Sequence, residues 1–505
     1  MSPSIFRGRQ DLYIVLRDLG LLVPVVGIMA TVSLIVPLVF GERFAFAPLA
    51  ITAGISFALG AALYFPFRNA GEAELKHGMI IAAFGWLLVA ALGSLPFVLT
   101  ALFAEAGEAS ETLLYFKDPA SAFFEAVSGY TGTGLTMAAR ADLLPRTLQW
   151  WRSFTEWIGG MGVIVLMLAI LAGPRPGAAR YSLYYAEARG EKIHPSVTST
   201  LRTMWWIFLL YSFISVVALW GAGMPVWESI NHAMTGISTG GFTVTDNSIA
   251  TYNSVAIELV LIPIMLLGAI SFAVHYEMMR GKGRILWEDF QTRWFLAIAL
   301  IGVAFLTLEY LLEIGGGTEA LRHSSFQLVS AITCTGFQSA DVGVWTPTGK
   351  LLLAVAMFIG GAAGSTAGGI KVMRMLILMK GVQWRFRKIV SPRRAIVPFR
   401  LGVAKIDESE VGQRLEDAAL IAFLWLIFLG LGIVVLLHTV SGEHTLSDVV
   451  FEVASAQGNV GLSVGITRPT MSLVGKLMLC FNMWIGRLEI IPVLMLVRAM
   501  FRGVQ

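Results

Sequence analysis

The sequence predicts an all-α polytopic membrane protein. Four pseudo-repeats of span, re-entrant pore loop and span surround one central pore, and two extra N-terminal spans precede them. Three observations lead there. AVILMFWYC residues make up 56% of the 505-residue chain and charged residues 14%, where soluble domains carry about 25% charged residues. Ten apolar runs are long enough to cross a bilayer, which takes about 20 residues each. Four shorter, half-apolar stretches recur between those runs in one register.

The spans are read at 18–40, 45–67, 78–102, 148–172, 203–222, 255–278, 295–314, 349–380, 416–438 and 472–497. The first follows Arg7 and Arg9 and is too long for a signal peptide, with no small-residue cleavage site closing it, so it is read as a retained span. The net charge of +4 does not point to nucleic acid, because loops 173–200, 280–293 and 371–414 hold 19 of the 37 Lys and Arg. That clustering is a positive-inside bias, which places these loops and both termini in the cytoplasm. The loop at 105–118, with Glu105, Glu108, Glu111 and Asp118 against Lys117, faces outward. Cys334 and Cys480 lie far apart in apolar surroundings and suggest neither a disulfide framework nor a thiolate metal site.

The recurring stretches read FFEAVSGYTGTGLT (123–136), SINHAMTGISTGGFT (229–243), SSFQLVSAITCTGFQ (324–338) and VFEVASAQGNVGLSV (450–464). Setting Gly134, Gly240, Gly336 and Gly461 in register puts Glu125, Asn231, Gln327 and Glu452 nine positions earlier, and Thr133, Thr239, Thr335 and Val460 one position earlier. The residues before each Gly suit a short helix dipping into the membrane, and the Gly lets the chain return extended. Irregular backbone at that depth is tolerated only where protein or a water-filled pathway surrounds it. Four such loops on one axis form a pathway whose carbonyls replace an ion's hydration shell, and whose four helix C-termini favour a cation. Glu125 and Glu452 are read as complementing helix N-termini rather than as catalytic or proton-carrying groups. The histidines, His232 and His323 included, lack metal-ligand spacing.

Two further elements carry chemistry. The run 349–380 is too long for one span and holds Gly360, Gly361, Gly364, Gly368 and Gly369 within ten positions, so a helix should not persist there. Arg487 lies in an apolar span with Glu489 two residues on; an ionisable group at that depth reads as functional, or as half of a structural ion pair. Glu156 is expected near the outer interface, with no role assigned. No G-x-S-x-G, H-E-x-x-H or Walker pattern occurs, so the chain is read as a transport protein and not an enzyme. A pore and a secondary carrier coupled to protons or sodium both remain open at this point.

STGGF (238–242), CTGF (334–337), GNVG (458–461), WIGGMG (157–162), GGAAGSTAGGIKVMR (360–374) and IGRLEIIP (485–492) together resemble the Trk/Ktr/HKT superfamily of potassium-uptake subunits, the bacterial TrkH/TrkG type most closely. The resemblance covers nearly the whole chain. It implies a selectivity filter for potassium, the only metal expected, at Gly132, Thr133 and Gly134; Ser238, Thr239 and Gly240; Cys334, Thr335 and Gly336; and Asn459, Val460 and Gly461. Loop one departs from the family in having Gly132 where bacterial relatives have Thr. It further implies a gate formed by Gly360, Gly361, Gly364, Ser365, Thr366, Gly368, Gly369 and Lys371, with Arg487 just beneath the filter.

The implied organisation is two leading helices in 1–70 and pore repeats in 71–180, 181–283, 284–400 (with a broken second span) and 401–505. The implied assembly is a homodimer in a bacterial inner membrane, with no nucleic acid partner. A cytoplasmic regulator of the TrkA type is expected to bind the nucleotide, NAD or ATP/ADP, while this chain binds no cofactor of its own. The basic loop 371–414, with Arg385, Arg387, Lys388, Arg393 and Arg394, is the candidate docking surface.

Overall fold

A computed structural model describes residues 5–105, 110–162, 193, 197–392, 397–402, 404–440 and 442–502. Among these, six helices are long and apolar enough to cross a membrane: Gln10–Phe40, Arg43–Phe67, Leu75–Phe103, Ser199–Gly221, Phe290–Glu313 and Glu410–Thr439. They match six of the ten expected spans. The first is built from α1 (Ile5–Leu22), α2 (Pro24–Ser33) and α3 (Ile35–Phe40), the second from α4 (Arg43–Tyr64), and the third from α5 (Leu75–Gly93) and α6 (Leu95–Phe103). α9 (Val197–Gly221), α13 (Phe290–Glu313) and α17 (Glu408–Thr439) supply the others.

Among the described residues three of the four remaining spans are broken, although the sequence anticipated a break only in 349–380. α8 (Arg146–Met161) ends at Gly162, whose φ is +93°; the rest of the expected span, 163–172, lies outside the described residues, as does nearly all of loop 173–200. α11 (Val255–Ala269) turns through 107° into α12 (Phe272–Met279), whose start is capped by Ser271 accepting the Ala273 N–H at 3.2 Å. α15 (Pro347–Ile359) gives way to irregular chain over 360–371 before α16 (Val372–Val390) begins. α19 (Leu473–Arg487) turns through 113° into α20 (Ile491–Arg502). Glu489 and Ile490 make that last turn at φ of +55° and +75°, a region that costs a β-branched residue on the order of 1–3 kcal/mol.

Between the spans lie the short helices α7 (Pro119–Thr131), α10 (Val226–Ile237), α14 (Thr318–Ile332) and α18 (Leu446–Gly458). At 1.5 Å rise per residue they are roughly 20 Å long, too short for a hydrocarbon core of about 30 Å. Capping fixes where they start. Asp118 accepts the Ala120 and Ser121 N–H groups ahead of Pro119, and Thr445 and Asp448 form a reciprocal capping box on α18.

Packing closes these pieces into a ring. α8 packs on α7 and α10, α11 on α10 and α14, α15 on α14 and α18, and α19 on α18 and back on α7. At each seam the fourth residue of the longer helix reaches the next short helix or the residue that caps it. Trp227 Nε1 donates to Gln149 at 2.8 Å, Arg322 pairs with Glu258 at 2.7 Å, Lys350 with Asp448 at 2.6 Å and Lys476 with Asp118 at 2.8 Å. α1 and α4 lean on α5 and α6, outside this ring.

The segment 371–414, read as a basic loop, is largely ordered. α16 continues to Val390, and a hairpin pairs β1 (Phe399–Leu401) with β2 (Ala404–Ile406) in antiparallel register, Phe399 opposite Ile406. Trp384 ties the two by donating to the Val397 carbonyl at 2.8 Å.

Candidate functional site

The C-termini of α7, α10, α14 and α18 point into the centre of the ring, and each runs straight into its glycine loop. A common hydrogen bond defines the register: Thr133, Gly240, Thr335 and Val460 donate their N–H groups to the carbonyls of Ser128, Thr235, Ser330 and Ser455 at 2.8–2.9 Å. The residue before each is left-handed, with φ of +65° at Gly132, +53° at Thr239, +58° at Cys334 and +54° at Asn459. The residue after each is a glycine, with φ of +88° at Gly134, +86° at Gly241, +85° at Gly336 and +95° at Gly461.

The second loop is therefore one residue out of the sequence register. Gly241 stands with Gly134, Gly336 and Gly461; Gly240 takes the Thr position, Thr239 the one before it, and Ser238 caps α10. The adjacent glycines of STGGF allow either alignment, and matching the Thr-Gly pair selects the wrong one. The large apolar residue following each glycine is the better guide, since Leu135, Phe242, Phe337 and Leu462 are all buried.

Glycine is required here by space as well as by φ. A Cβ on Gly134 would strike the Gly240 carbonyl, one on Gly241 the Thr335 carbonyl, one on Gly336 the Val460 carbonyl, and one on Gly461 the Thr133 carbonyl. Each loop thus abuts the next around a complete circle. Gly132 is different, because a Cβ there would meet nothing within 4 Å. On one side the ring opens to a vestibule of about 160 Å³ lined by Gly134, Gly241, Gly336 and Gly461 together with Arg152 and Gln338.

The corrected register also changes the polar column nine residues earlier, which is Glu125, His232, Gln327 and Glu452, with His232 in place of Asn231. These side chains sit mid-helix, not at helix N-termini. Glu125 accepts from Thr136 Oγ1 at 2.8 Å and the Met137 N–H at 2.6 Å. Glu452 accepts from Ser463 Oγ at 2.7 Å and the Val464 N–H at 3.0 Å, and Gln327 accepts the Ser339 N–H at 3.4 Å and donates to the Ala340 carbonyl at 3.2 Å. Glu125, Gln327 and Glu452 thus anchor the chain leaving the first, third and fourth loops, while His232 bonds the Glu228 carbonyl of its own helix at 2.9 Å. Arg152, fully buried, ion-pairs with Glu125 at 2.6 Å. Glu156, expected near an interface, is instead completely buried behind the second loop.

On the opposite side of the ring the irregular chain 360–371 lies across the axis. Thr366 donates to the Gly268 carbonyl at 2.8 Å and receives a hydrogen bond from Thr239 at 3.0 Å. Gly369 N–H reaches the Gly458 carbonyl at 3.0 Å, and the Phe272 N–H reaches the Gly364 carbonyl at 3.0 Å. Gly368 is pressed against the Gly458 carbonyl with no room for a Cβ. Lys371, at φ +79°, turns back to the Ala367 carbonyl. Arg487 donates to the carbonyls of Gly159 at 2.5 Å, Gly160 at 3.2 Å and Thr366 at 3.3 Å. Glu489 pairs with Arg374 of α16 rather than with Arg487. The space left between loop and ring, bounded by Gly364, Ser365, Asn459, Gly486 and Arg487, is about 30 Å³, roughly one water molecule's share of liquid volume.

The family described as TrkH cation transport protein matches residues 48–502. An uncharacterized cation transporter of Methanocaldococcus jannaschii is 32% identical over 98% of this chain and 97% of its own. The Trk system potassium uptake protein TrkH of Salmonella typhimurium is 31% identical over 88% of this chain and 89% of its own. The crystal structure of the potassium transporter TrkH from Vibrio parahaemolyticus superposes with a TM-score of 0.80 at 27% identity, covering 97% of this chain and 99% of that one.

Proposed function

This chain belongs to the TrkH family of cation transport proteins, and from that premise we propose that it takes up potassium across a bacterial inner membrane through the ring of four glycine loops. The observation that carries the reading is the ring itself, in which four equivalent backbone turns abut in a closed circle behind an open vestibule. Carbonyls fixed at that spacing replace an ion's water shell, and four helix C-termini supply negative potential without a carboxylate on the axis. The filter is Gly132–Gly134, Thr239–Gly241, Cys334–Gly336 and Asn459–Gly461, within repeats 71–180, 181–283, 284–400 and 401–505.

Residues 360–371 are the gate, and Arg487 places a positive charge beneath the filter that opposes potassium while the gate is closed. The hydrogen bonds that hold this chain against Gly268, Gly458 and Arg487 support this. The gate moves when a cytoplasmic regulator of the TrkA type, carrying NAD or ATP/ADP, docks on the homodimer. Its docking surface includes Arg385, Arg387 and Lys388 on α16; Arg393 and Arg394 lie outside the described residues. Neutralising the α16 cations should weaken regulator affinity, and unchanged affinity would remove that surface.

The deciding experiment is flux of potassium, rubidium and sodium in liposomes holding the purified chain, beside Gly134→Ser. Potassium-preferring flux that follows the potassium Nernst potential, with more sodium admitted by the variant, supports the filter. Flux that requires a proton or sodium gradient and ignores Gly134→Ser would establish a coupled carrier instead.

A further inference from the structure

At the middle position of the filter one loop alone lacks a side chain. Thr133, Thr335 and Val460 carry side chains that are buried behind the ring, but the equivalent residue of the second loop is Gly240. The space is nevertheless filled. A Cβ on Gly240 would lie 2.5 Å from Glu156 Oε2, 2.6 Å from its Cδ and 3.0 Å from its Cβ. Glu156 belongs to α8, the helix of the preceding repeat, and the same Oε2 accepts the Phe242 N–H at 2.9 Å. Its carboxyl therefore occupies the volume of the missing side chain and holds the backbone immediately after Gly241.

The arrangement is peculiar to this seam. Counting seven residues on from Gln149, Glu258, Lys350 and Lys476, the seam residues of the four helices, gives Glu156, Met265, Met357 and Met483. Only the first can accept a hydrogen bond through a carboxyl oxygen, and only the second loop lacks its own side chain. Arg152, one turn earlier on α8, braces the same loop by donating to the Thr243 carbonyl at 2.7 Å and lying over the Phe242 ring at 4.1 Å. The second Glu156 oxygen has no hydrogen-bond partner among the described residues, so its burial is explained by the contact with the loop and not by a wider polar network.

We infer that Glu156 is a specificity-determining positioning residue, a side chain lent by the first repeat that fixes the Gly240–Gly241 segment of the second repeat's filter. The inference rests on the filter reading above. What it needs from Glu156 is shape and an acceptor oxygen. Glu156→Gln retains both and should keep potassium-over-sodium preference within about twofold of the native protein. Glu156→Ala removes both and should lower that preference about tenfold, a change of roughly 1.4 kcal/mol in relative barrier. Gly240 is outside the left-handed region, so its backbone accepts a methyl group, and once the carboxyl is gone the contact left is the 3.0 Å approach to the Cβ of residue 156, which needs a shift of a few tenths of an ångström. Gly240→Ala alone, which drives the carboxyl away, should behave like Glu156→Ala, and the double variant should recover much of the lost preference.

The measurement is potassium and sodium flux in liposomes for these four variants, with Gly134→Ser alongside and folded protein checked by size-exclusion chromatography. Native preference in Glu156→Ala, with Gly134→Ser impaired, would overturn the role of Glu156 and leave the filter standing. Native preference in both would remove the filter reading itself. Loss in Glu156→Gln as severe as in Glu156→Ala would overturn the shape-and-acceptor account. If Glu156→Ala does not fold, Gly240→Ala and the double variant decide by the same comparison.

Discussion

The side-chain amide of Asn459 donates to the hydroxyl of Thr133 at 3.0 Å, joining the last filter loop to the first across 326 residues of sequence. The same amide donates to the Met483 carbonyl at 2.8 Å. Asn459→Gly keeps the left-handed backbone and removes only the amide. Losing the two hydrogen bonds of this buried amide should cost about 1–3 kcal/mol. A lower thermal midpoint in detergent and a reduced potassium-over-sodium flux ratio are expected, and an unchanged flux ratio would show that the bridge is only structural.

Beneath the ring, Arg374 of α16 is tied to Glu489 at the bend between α19 and α20. If the chain between Gly360 and Lys371 is the gate, this ion pair is one of its tethers. Glu489→Gln should raise regulator-independent flux several-fold, Arg374→Gln should do the same, and the double variant should add little. Additive effects would mean the two residues act separately.

The Lys350–Asp448 pair is buried on both sides, and Lys350 also donates to the Gly343 carbonyl at 2.7 Å. Asp448→Ala strands a buried ammonium, at a cost of about 3–5 kcal/mol. Loss of the exposed Arg140–Asp142 pair should have far less effect, because solvent screens it. Thermal unfolding of Asp448→Ala beside Asp142→Ala tests the contrast, and equal midpoints would contradict it.

Acid should loosen the Asp118 seam. Burial raises the pKa of Asp118, but hydrogen bonds from Lys476, Ser121 and the Ala120 N–H, with the charge of Lys476, outweigh it and hold the carboxyl below its ordinary 3.8. A carboxyl depressed on folding contributes stability that is complete above about pH 4 and lost as pH falls through the folded pKa. The thermal midpoint should therefore drop toward pH 3, and Asp118→Asn should flatten part of that drop. An identical pH profile in the variant would mean Asp118 is not the titrating group.

Composition and apolar run length were enough to read the membrane class, six full spans and the irregular 360–371 segment. The glycine loops were legible from their recurrence, although adjacent Gly240 and Gly241 left the second loop's register ambiguous until the helix-to-loop hydrogen bonds fixed it. The bends after Ala269 and Arg487 were not legible, because Ile270, Ser271 and Leu488–Ile490 are unremarkable inside apolar runs and only tertiary packing forces them out of helix. The burial of Glu156 was equally hidden. Its meaning depends on what is missing at Gly240, a residue 84 positions away that no local pattern connects to it.

The four seams of the ring do not form at the same time. Three join neighbours in the sequence and can dock as each new segment is inserted. The fourth pairs Asp118 with Lys476, 358 residues apart, so the early part of the chain must wait as an open crescent until α19 arrives. Long-range closure of this kind is slow and leaves unpaired surface exposed in the meantime. The first two seams carry distinct chemistry, an amide acceptor at Gln149 and an acid at Glu258, whereas Lys350 and Lys476 each meet an aspartate, so a lysine helix that docks out of turn on the other aspartate still finds an opposite charge. Charge therefore keys the Glu258–Arg322 seam against the two lysine seams, while the order in which segments arrive must tell those two apart.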